Sequence, residues 1–203
     1  MQRILEKKER SLGVKLGIKG DRCMSPKCAL TRKPHRPGQH GKSPLKKGEF
    51  GNQLQEKQRI RFTYGLSDKQ LEAVFGRAAK KDEPTPIAVL KELESRLDSV
   101  VYRLGFAGSR SIARKMVGHG HFMVNKNKVT IPSYKVKVKD IIKIRPESKD
   151  IANFKDLSAR VKDLQVPSWL SLDKEKLEAT VLSAPKDIDS PFDISLVVDY
   201  YLR

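Results

Sequence analysis

The strongest candidates for a functional site in this chain are the cationic side chains between residues 109 and 128. Arg110 and Arg114 are four positions apart, so they share one face of a predicted helix. Arginine presents a planar fork of donors that can bridge two phosphate oxygens, which lysine cannot do. Ser109 and Ser111 stand at the helix start, where free N–H groups attract anions. Further polar and basic side chains follow within a few turns: Lys115, His119, His121, Asn125, Lys126 and Lys128. We expect this cluster to contact phosphate; the alternative is a solvated helix face.

A second candidate site would bind a metal. Cys23 and Cys28 are followed by His35 and His40. Zinc takes four ligands, commonly Cys and His, and these residues could supply them. The spacing is loose and no second tight pair accompanies it, so two ordinary thiols are the alternative. We expect no cofactor, with zinc at Cys23 and Cys28 as the less favoured prediction.

Catalytic signatures are missing from the sequence. There is no P-loop, GxGxxG, HExxH or GxSxG motif. His119 and His121 stand beside the arginine-bearing helix, where a histidine can touch phosphate or a base without acting as an acid or base. The sequence therefore predicts a binding protein that is not an enzyme.

The sequence predicts a pair of helices followed by strands as the elements that position these basic residues. The first helix is indicated by apolar residues at helical spacing: Leu97, Val100, Val101 and Leu104. The second starts near Ser109 and ends at Gly118. The period then falls to two, because Tyr134, Val136 and Val138 alternate with lysines, which predicts a strand.

Helices are also expected on the N-terminal side of this module. One covers 52–64, with Asn52 as a possible cap, and the next follows a capping box that begins at Ser67. Thr85 caps a further helix with Pro86 at its first position. The apolar stripe from Ile87 to Leu104 is compatible with one long helix or with two packed helices.

On the C-terminal side, the pattern predicts a helix over 151–164 and a buried strand at 169–172. Trp169 has apolar, uncharged neighbours, so we expect it in the core rather than as a platform for base stacking. Residues 194–202 form a buried hydrophobic element of undetermined type.

The charge balance indicates a polyanionic partner. The chain has 203 residues, with 42 Lys and Arg against 24 Asp and Glu, for a net charge of +18. The net charge is +12 over residues 1–64, +9 over residues 65–145 and −3 over residues 146–203. Nucleic acid is the commonest partner for such an excess, and it should meet the first two thirds of the chain.

The sequence also indicates the cellular compartment of the protein. No apolar run approaches the roughly 18–20 residues of a membrane span, and the N-terminus has no apolar stretch after its charges. Two cysteines cannot form a disulfide framework. We expect a cytoplasmic protein without a membrane partner.

The kind of nucleic acid can be narrowed further. Aromatic residues make up only 6% of the chain, which argues against a base-stacking sheet platform. No recognition helix precedes dimer-forming heptads, so DNA readout is disfavoured. The irregular segment 34–42 is basic and interrupted by Pro and Gly, as in an extended arm ordered by its partner. Cations spread over two domains and such an arm suit a large folded RNA.

Six stretches carry a resemblance to a known family: KGDRCMSPKC (19–28), RPGQHG (36–41), LQEKQRIRFTYGL (54–66), ESRLDSVVYRLGFAGSRSIARKMVGHGHFMVN (94–125), VPSWLSLD (166–173) and the C-terminal hydrophobe. The chain closely resembles the fourth protein of the small ribosomal subunit, in its bacterial or organellar form. The resemblance implies an α+β fold. A mostly helical first domain carries an inserted second domain, in which a helix pair packs on a small, mainly antiparallel sheet.

The resemblance also implies domain boundaries. Residues 1–93 would form a basic arm and helical domain, with about 180–203 packing back near it. Residues 94–155 would form the RNA-binding module, and residues 156–203 a C-terminal helix, strands and the terminal hydrophobic element.

The implied function is that of a structural protein of the small ribosomal subunit. Such a protein binds a junction of several helices in the 5′ domain of small-subunit rRNA and helps nucleate assembly. The implied partners are that rRNA, the fifth small-subunit protein and other neighbours, and mRNA at the channel through which it enters. The residues expected to bind RNA are Lys7, Lys8, Arg10, Lys19, Arg22, Arg36, Gln39, His40, Lys42, Lys46, Lys47, Lys57, Arg59, Arg61, Arg96, Arg103, Ser109, Arg110, Arg114, Lys115, His119, His121 and Asn125.

One departure from the family concerns zinc. Many relatives carry four cysteines in the N-terminal region, and Cys23 and Cys28 match only the second pair. The stretch before Lys19 has no cysteine, so the site looks half lost. Other relatives dispense with zinc altogether.

Two other functions remain open alternatives. The same helix–sheet module is appended to some RNA-modifying enzymes, which need a separate catalytic domain. It also resembles free stress factors that rescue stalled ribosomes, which lack RPGQHG and the EKQRIR helix.

Overall fold

The computed structural model describes residues 6–43, 47–148, 151, 154, 157–162, 164–186, 188 and 190–202. The chain divides into two compact units, one formed by residues 1–89 with 189–203 and the other by residues 90–188. The α-helices in the described residues are α1 (Lys7–Leu12), α2 (Asp21–Met24), α3 (Ala29–Arg32), α4 (Glu49–Tyr64), α5 (Asp68–Ala78), α6 (Thr85–Glu94), α7 (Leu97–Arg103), α8 (Arg110–Gly118), α9 (Leu157–Lys162) and α10 (Ile194–Leu202).

Helix α4 starts earlier than its sequence pattern predicts. It begins at Glu49 after Gly48, so the prediction of Asn52 as its cap is wrong. The extra turn is stabilised because Glu49 accepts a hydrogen bond from the Gln53 side chain at 3.3 Å. The ring of Phe50, in the same turn, lies 5.7 Å from the ring of Tyr200.

In the first unit, α1 and α10 pack against α4. The capping box at the start of α5 is confirmed, since Ser67 and Gln70 exchange hydrogen bonds between side chain and backbone. The terminal hydrophobe is helix α10, which packs against α4 and α5, with the rings of Phe75 and Tyr201 4.9 Å apart. Burial raises the pKa of the Tyr201 hydroxyl. The buried apolar side chains of this unit include Ile60, Leu66, Leu71, Val74, Phe75 and Val197.

The second unit contains an antiparallel sheet. Its strands are β1 (Phe122–Val124), β2 (Asn127–Val129), β3 (Ile141–Ile144), β4 (Leu170–Asp173) and β5 (Glu178–Val181). Their order is β2-β1-β3-β5-β4, and every neighbouring pair is antiparallel. One hydrophobic core joins this sheet to α7 and α8, and its members include Leu97, Val101, Phe106, Val117, Phe122, Ile142 and Trp169. The α+β class and the core position of Trp169 are therefore confirmed.

The strand predicted around Tyr134, Val136 and Val138 is wrong. This segment makes only an isolated bridge, between Arg96 and Lys135. Its backbone bonds the start of α7 instead of a strand: Leu97 N–H donates to the Tyr134 carbonyl, and Val136 N–H donates to the carbonyl of Ser95, both at 2.9 Å. The alternation still predicted two of the three inward side chains, because Tyr134 and Val136 are half-buried against the core, whereas Val138 is exposed.

The apolar stripe from Ile87 to Leu104 forms two helices. Helix α6 ends at Glu94, and α7 begins at Leu97 after an extended Arg96 (ψ 140°). Within the predicted 151–164 helix, the structure describes α9, whose Leu157 and Val161 are buried.

The predicted three-part domain division stays a prediction. The compact units group the chain by contact, and in the second unit β5 pairs with β3, so residues after 155 share its sheet.

Candidate nucleic-acid interface

Helix α8 positions the two arginines that sequence spacing singled out. Its N-cap is Ser109, whose hydroxyl accepts a hydrogen bond from the Ile112 N–H at 3.3 Å. Ser109 is almost fully buried, so its side chain shapes the helix start rather than presenting a hydroxyl to solvent. Ala113, Met116 and Val117 pack into the core and leave Arg110 and Arg114 on another face.

Glu94, at the end of α6, holds two arginines. Its side chain is fully buried. Arg103 donates to both carboxylate oxygens, from Nε at 3.0 Å and from Nη2 at 2.9 Å. Arg110 donates to Oε1 from Nη2 at 3.0 Å, and its guanidinium also lies 4.5 Å from the centre of the Tyr102 ring.

Asp98, in the first turn of α7, repeats this arrangement. Arg96 donates to both of its oxygens, from Nε at 3.0 Å and from Nη2 at 2.8 Å. The Nε of Arg114 lies 3.5 Å from Oδ2. Burial lowers the pKa of Arg114, and Asp98 opposes that shift.

Each of these carboxylates therefore faces two guanidinium groups. The arginines are held in place, which lowers the entropy lost when they bind an anion. Glu94 and Asp98 thus fix the geometry of the basic surface.

The rest of the predicted module residues take different places. Lys115 and His119 are exposed on or just after α8. His121 is half-buried, and its Nδ1 lies 3.0 Å from the Ser148 hydroxyl. Burial lowers the pKa of His121, and His119, Arg145 and Lys128 add to the shift.

Asn125 has a structural role in a turn. Its φ is 57°, in the left-handed region that asparagine tolerates. Its amide donates to Asp140 Oδ1 at 3.0 Å, and its carbonyl oxygen accepts from the Ile141 N–H at 2.9 Å. Asn125 thus ties the turn after β1 to the start of β3, and its predicted contact with RNA stays a prediction.

In the first unit, three predicted arginines bind their own chain. Arg10 donates to the carbonyl of His35 at 3.2 Å, Arg36 donates to the carbonyl of Ser43 at 2.7 Å, and Arg22 lies 3.2 Å from Glu6. The other predicted residues of this segment are exposed: Lys7, Lys8, Lys19, Gln39, His40, Lys42 and Lys47. Lys46 lies outside the described residues.

The cations of α4 that are expected to bind RNA have internal partners. Lys57 is largely buried, with its ammonium 3.3 Å from the Tyr200 hydroxyl and 4.5 Å from the centre of that ring. Arg61 pairs with Asp68 at 2.8 Å, and Arg59 pairs with Glu56 on the same helix. These contacts stabilise the helix packing, and any role in RNA binding is additional to it.

The two cysteines are buried, and neither is in a disulfide. Burial raises the pKa of Cys23, whereas a backbone hydrogen bond from Thr31 lowers that of Cys28. The Sγ of Cys23 lies 3.8 Å from the carboxylate oxygens of Glu9, a fully buried residue. In the part of the chain that the structure describes, no three His, Cys, Asp or Glu side chains are grouped to hold a metal ion. Zinc at Cys23 and Cys28 stays a prediction.

Sequence reasoning missed the acidic partners of this surface: Glu92, Glu94 and Asp98. Glu92 is buried and binds Lys135 at 2.9 Å. The available signal was that all three acids lie among the apolar positions of predicted helices, where an unpaired charge would be costly. Among the described residues, no helix is long and apolar enough to cross a membrane.

Comparison with known proteins agrees with this geometry. The family described as ribosomal protein S4/S9 N-terminal domain matches residues 4–94, and the S4 domain matches residues 95–142. The chain is 43% identical to small ribosomal subunit protein uS4 of Pelotomaculum thermopropionicum and 45% identical to that of Gloeobacter violaceus. It is 44% identical to protein uS4A of Symbiobacterium thermophilum. Each match covers 96% of this chain and 94% of the relative. The chain therefore belongs to the family of small ribosomal subunit protein uS4.

Proposed function

We propose that this protein is a structural constituent of the small ribosomal subunit that binds rRNA directly. It clamps a junction of several helices in the 5′ domain of the small-subunit rRNA and helps nucleate assembly. It performs no covalent chemistry. Its work is to neutralise phosphates where duplexes meet and to fix their relative angles.

This proposal rests mainly on the two arginine clusters around Glu94 and Asp98. Four guanidinium groups face two buried carboxylates, so a fixed array of arginine forks stands on the α7–α8 pair. Such an array suits the phosphates of a folded RNA, because preorganised forks match phosphate oxygens and lose little freedom on binding. Exposed Lys115 and His119 extend the array along α8.

The extent of the family match separates this proposal from its rivals. A free rescue factor or the binding module of a modifying enzyme would resemble the S4 domain alone. Here the N-terminal family model also matches residues 4–94, and the relatives align over nearly the whole chain. Both observations support a ribosomal protein.

The partners follow from the same family likeness. We propose that the protein neighbours the fifth small-subunit protein and that the segment from Lys42 to Lys47 lies near the channel through which mRNA enters. Two exposed cations of that segment, Lys42 and Lys47, support an anionic neighbour there. The proposed location is the ribosome of a cytoplasm or an organelle.

The test is binding of the full chain to a transcript of the 5′ domain of small-subunit rRNA. Filter binding over a range of salt concentrations should give an affinity that falls steeply with salt, because phosphate contacts release counterions. Chemical footprinting of the same complex should protect nucleotides of several helices at one junction. A chain that ignores the transcript at low ionic strength, or protects no junction, contradicts the proposal.

A further inference from the structure

The second unit contains a cleft of about 330 Å³ beside the arginine clusters. Its walls come from the end of α7 and the loop after it, and from α9 and the segment that follows α9. The residues that give it chemical character are Tyr102, Arg103, Arg160 and Gln165. We call it the Tyr102 cleft.

The loop side of the cleft has a fixed backbone. Gly105 has a φ of 71° and donates its N–H to the Tyr102 carbonyl at 3.0 Å, which ends α7. The positive φ favours glycine here, and the position of a Cβ on Gly105 would lie 2.6 Å from Leu164 Cδ2, so the loop lies close to the segment after α9. The two walls are thus packed against each other at the base of the cleft.

The described lining carries two guanidinium groups. None of the described residues that line the Tyr102 cleft is Asp or Glu. Arg103 is held from behind by the buried Glu94, which it shares with Arg110. Arg160 is exposed and adds a second guanidinium to the lining.

The remaining groups suit a base. Unstacked RNA bases are bound by aromatic rings or guanidinium planes, and their edges by amides. Tyr102 lines the cleft with a ring that carries the Arg110 guanidinium over one face at 4.5 Å, and Gln165 offers an exposed amide with both donors and an acceptor. The volume lies at the lower end of the roughly 300–1,000 Å³ that is usual for small-ligand sites, which suits one nucleotide.

We propose that the Tyr102 cleft holds a single unstacked nucleotide of the bound RNA, with its phosphate on the arginines and its base against Tyr102 and Gln165. This inference rests on the proposed rRNA-binding function. The site adds recognition of a bulged or splayed nucleotide to contacts that otherwise read only phosphates. The cleft and the arginine surface of α8 are connected through Glu94, because Arg103 in the cleft and Arg110 on α8 bind this same carboxylate.

The test uses the double variant Arg160→Ala/Gln165→Ala in the full chain. Both side chains are exposed, so the variant should keep the wild-type melting temperature. On the 5′-domain transcript its affinity should fall roughly tenfold, the equivalent of about 1.4 kcal/mol. One unpaired base that the wild type protects from base-modifying reagents should become reactive, while the rest of the footprint stays. The matched control is Lys176→Ala, which removes one exposed cation of the same unit outside the cleft and should expose no base.

The outcomes separate the two proposals. If the wild type does not protect the transcript at all, the proposed function fails. If the wild type protects it and the double variant leaves every unpaired base protected, the cleft proposal is overturned. A second measurement is titration of the protein with adenosine or uridine monophosphate. If the free nucleotide binds in the cleft but no rRNA base is protected, the cleft proposal is also overturned.

Discussion

Arg110 and Glu94 lie 16 residues apart in the chain, yet Nη2 of the arginine donates to Oε1 of the carboxylate at 3.0 Å. Glu94 is fully buried, and Arg103 occupies both of its oxygens as well. A carboxylate in this position needs its partners, since a buried charge costs free energy unless it is paired. The basic surface of this unit therefore depends on an acid beneath it.

Replacing Glu94 by Gln should destabilise the protein by about 2–4 kcal/mol, because two guanidinium groups lose a charged acceptor in a buried site. The measurement is the free energy of unfolding in denaturant. The matched control is Glu175→Gln, an exposed acid in the same unit, which should change stability by less than about 0.5 kcal/mol. Equal stabilities for the two variants would show that Glu94 does not organise the cluster.

The double variant Arg110→Ala/Arg114→Ala should weaken binding to the 5′-domain transcript by a few kcal/mol, since charged hydrogen bonds contribute about 1.5–3 kcal/mol each. Both residues also pair with buried acids, so circular dichroism must first show that the variant is folded. A matched Arg110→Lys/Arg114→Lys variant keeps the charge and loses the planar fork of donors. Its affinity for the transcript should lie between those of the wild type and the alanine variant. A folded alanine variant with unchanged affinity would remove these arginines from the interface.

Lys115 allows a cleaner measurement of charge alone. It is exposed on α8, so Lys115→Ala should leave the melting temperature unchanged. If Lys115 contacts a phosphate, the variant should reduce the slope of log affinity against log salt by about 1. The same slope for both proteins would place Lys115 away from the RNA.

The local features of α5 and α8 could be predicted from the sequence: the capping box at Ser67 and the start of α8 near Ser109 are confirmed. Ser67 and Ser109 each accept a backbone N–H, and such local features depend on residues within one turn. The spacing also placed Arg110 and Arg114 on one face. Their pairing with Glu94 and Asp98 could not be predicted in this way, since it depends on how α6, α7 and α8 pack.

The failed strand prediction around Tyr134 has the same origin. A period of two predicts which side chains face the core, and Tyr134 and Val136 do so. It does not predict where the backbone hydrogen bonds go. Here they are used at the start of α7, by Leu97 and Ser95, so no ladder forms.

Glu9 should be the main polar support of the N-terminal helices. Its carboxylate accepts the backbone N–H groups of Leu16 at 2.9 Å and Ile18 at 3.3 Å, and it also faces Cys23. Glu9→Ala should cost about 2–4 kcal/mol, because buried donors left without an acceptor cost about 1–3 kcal/mol each. The measurement is the free energy of unfolding of the full chain.

The control for Glu9 is Asp21→Asn, an exposed acid of the same segment, which should be nearly neutral. A chelator added to the wild type should leave its melting temperature unchanged, since the described residues do not group ligands for a metal. A large loss of stability with the chelator would instead mean that a metal supports this region.

His121 should give the stability a dependence on pH. Its pKa is lowered below the ordinary value of about 6.5, chiefly by burial. Between the two pKa values the unfolded chain therefore binds a proton at this residue and the folded chain does not. Its contribution to stability is therefore complete above about pH 6.5 and is lost as the pH falls toward the lowered value. Unfolding of the wild type from pH 7.5 to 5.5 should show a loss that is smaller in His121→Gln. A His40→Gln variant in the first unit should keep the wild-type dependence; if His121→Gln keeps it as well, His121 is not the residue that causes it.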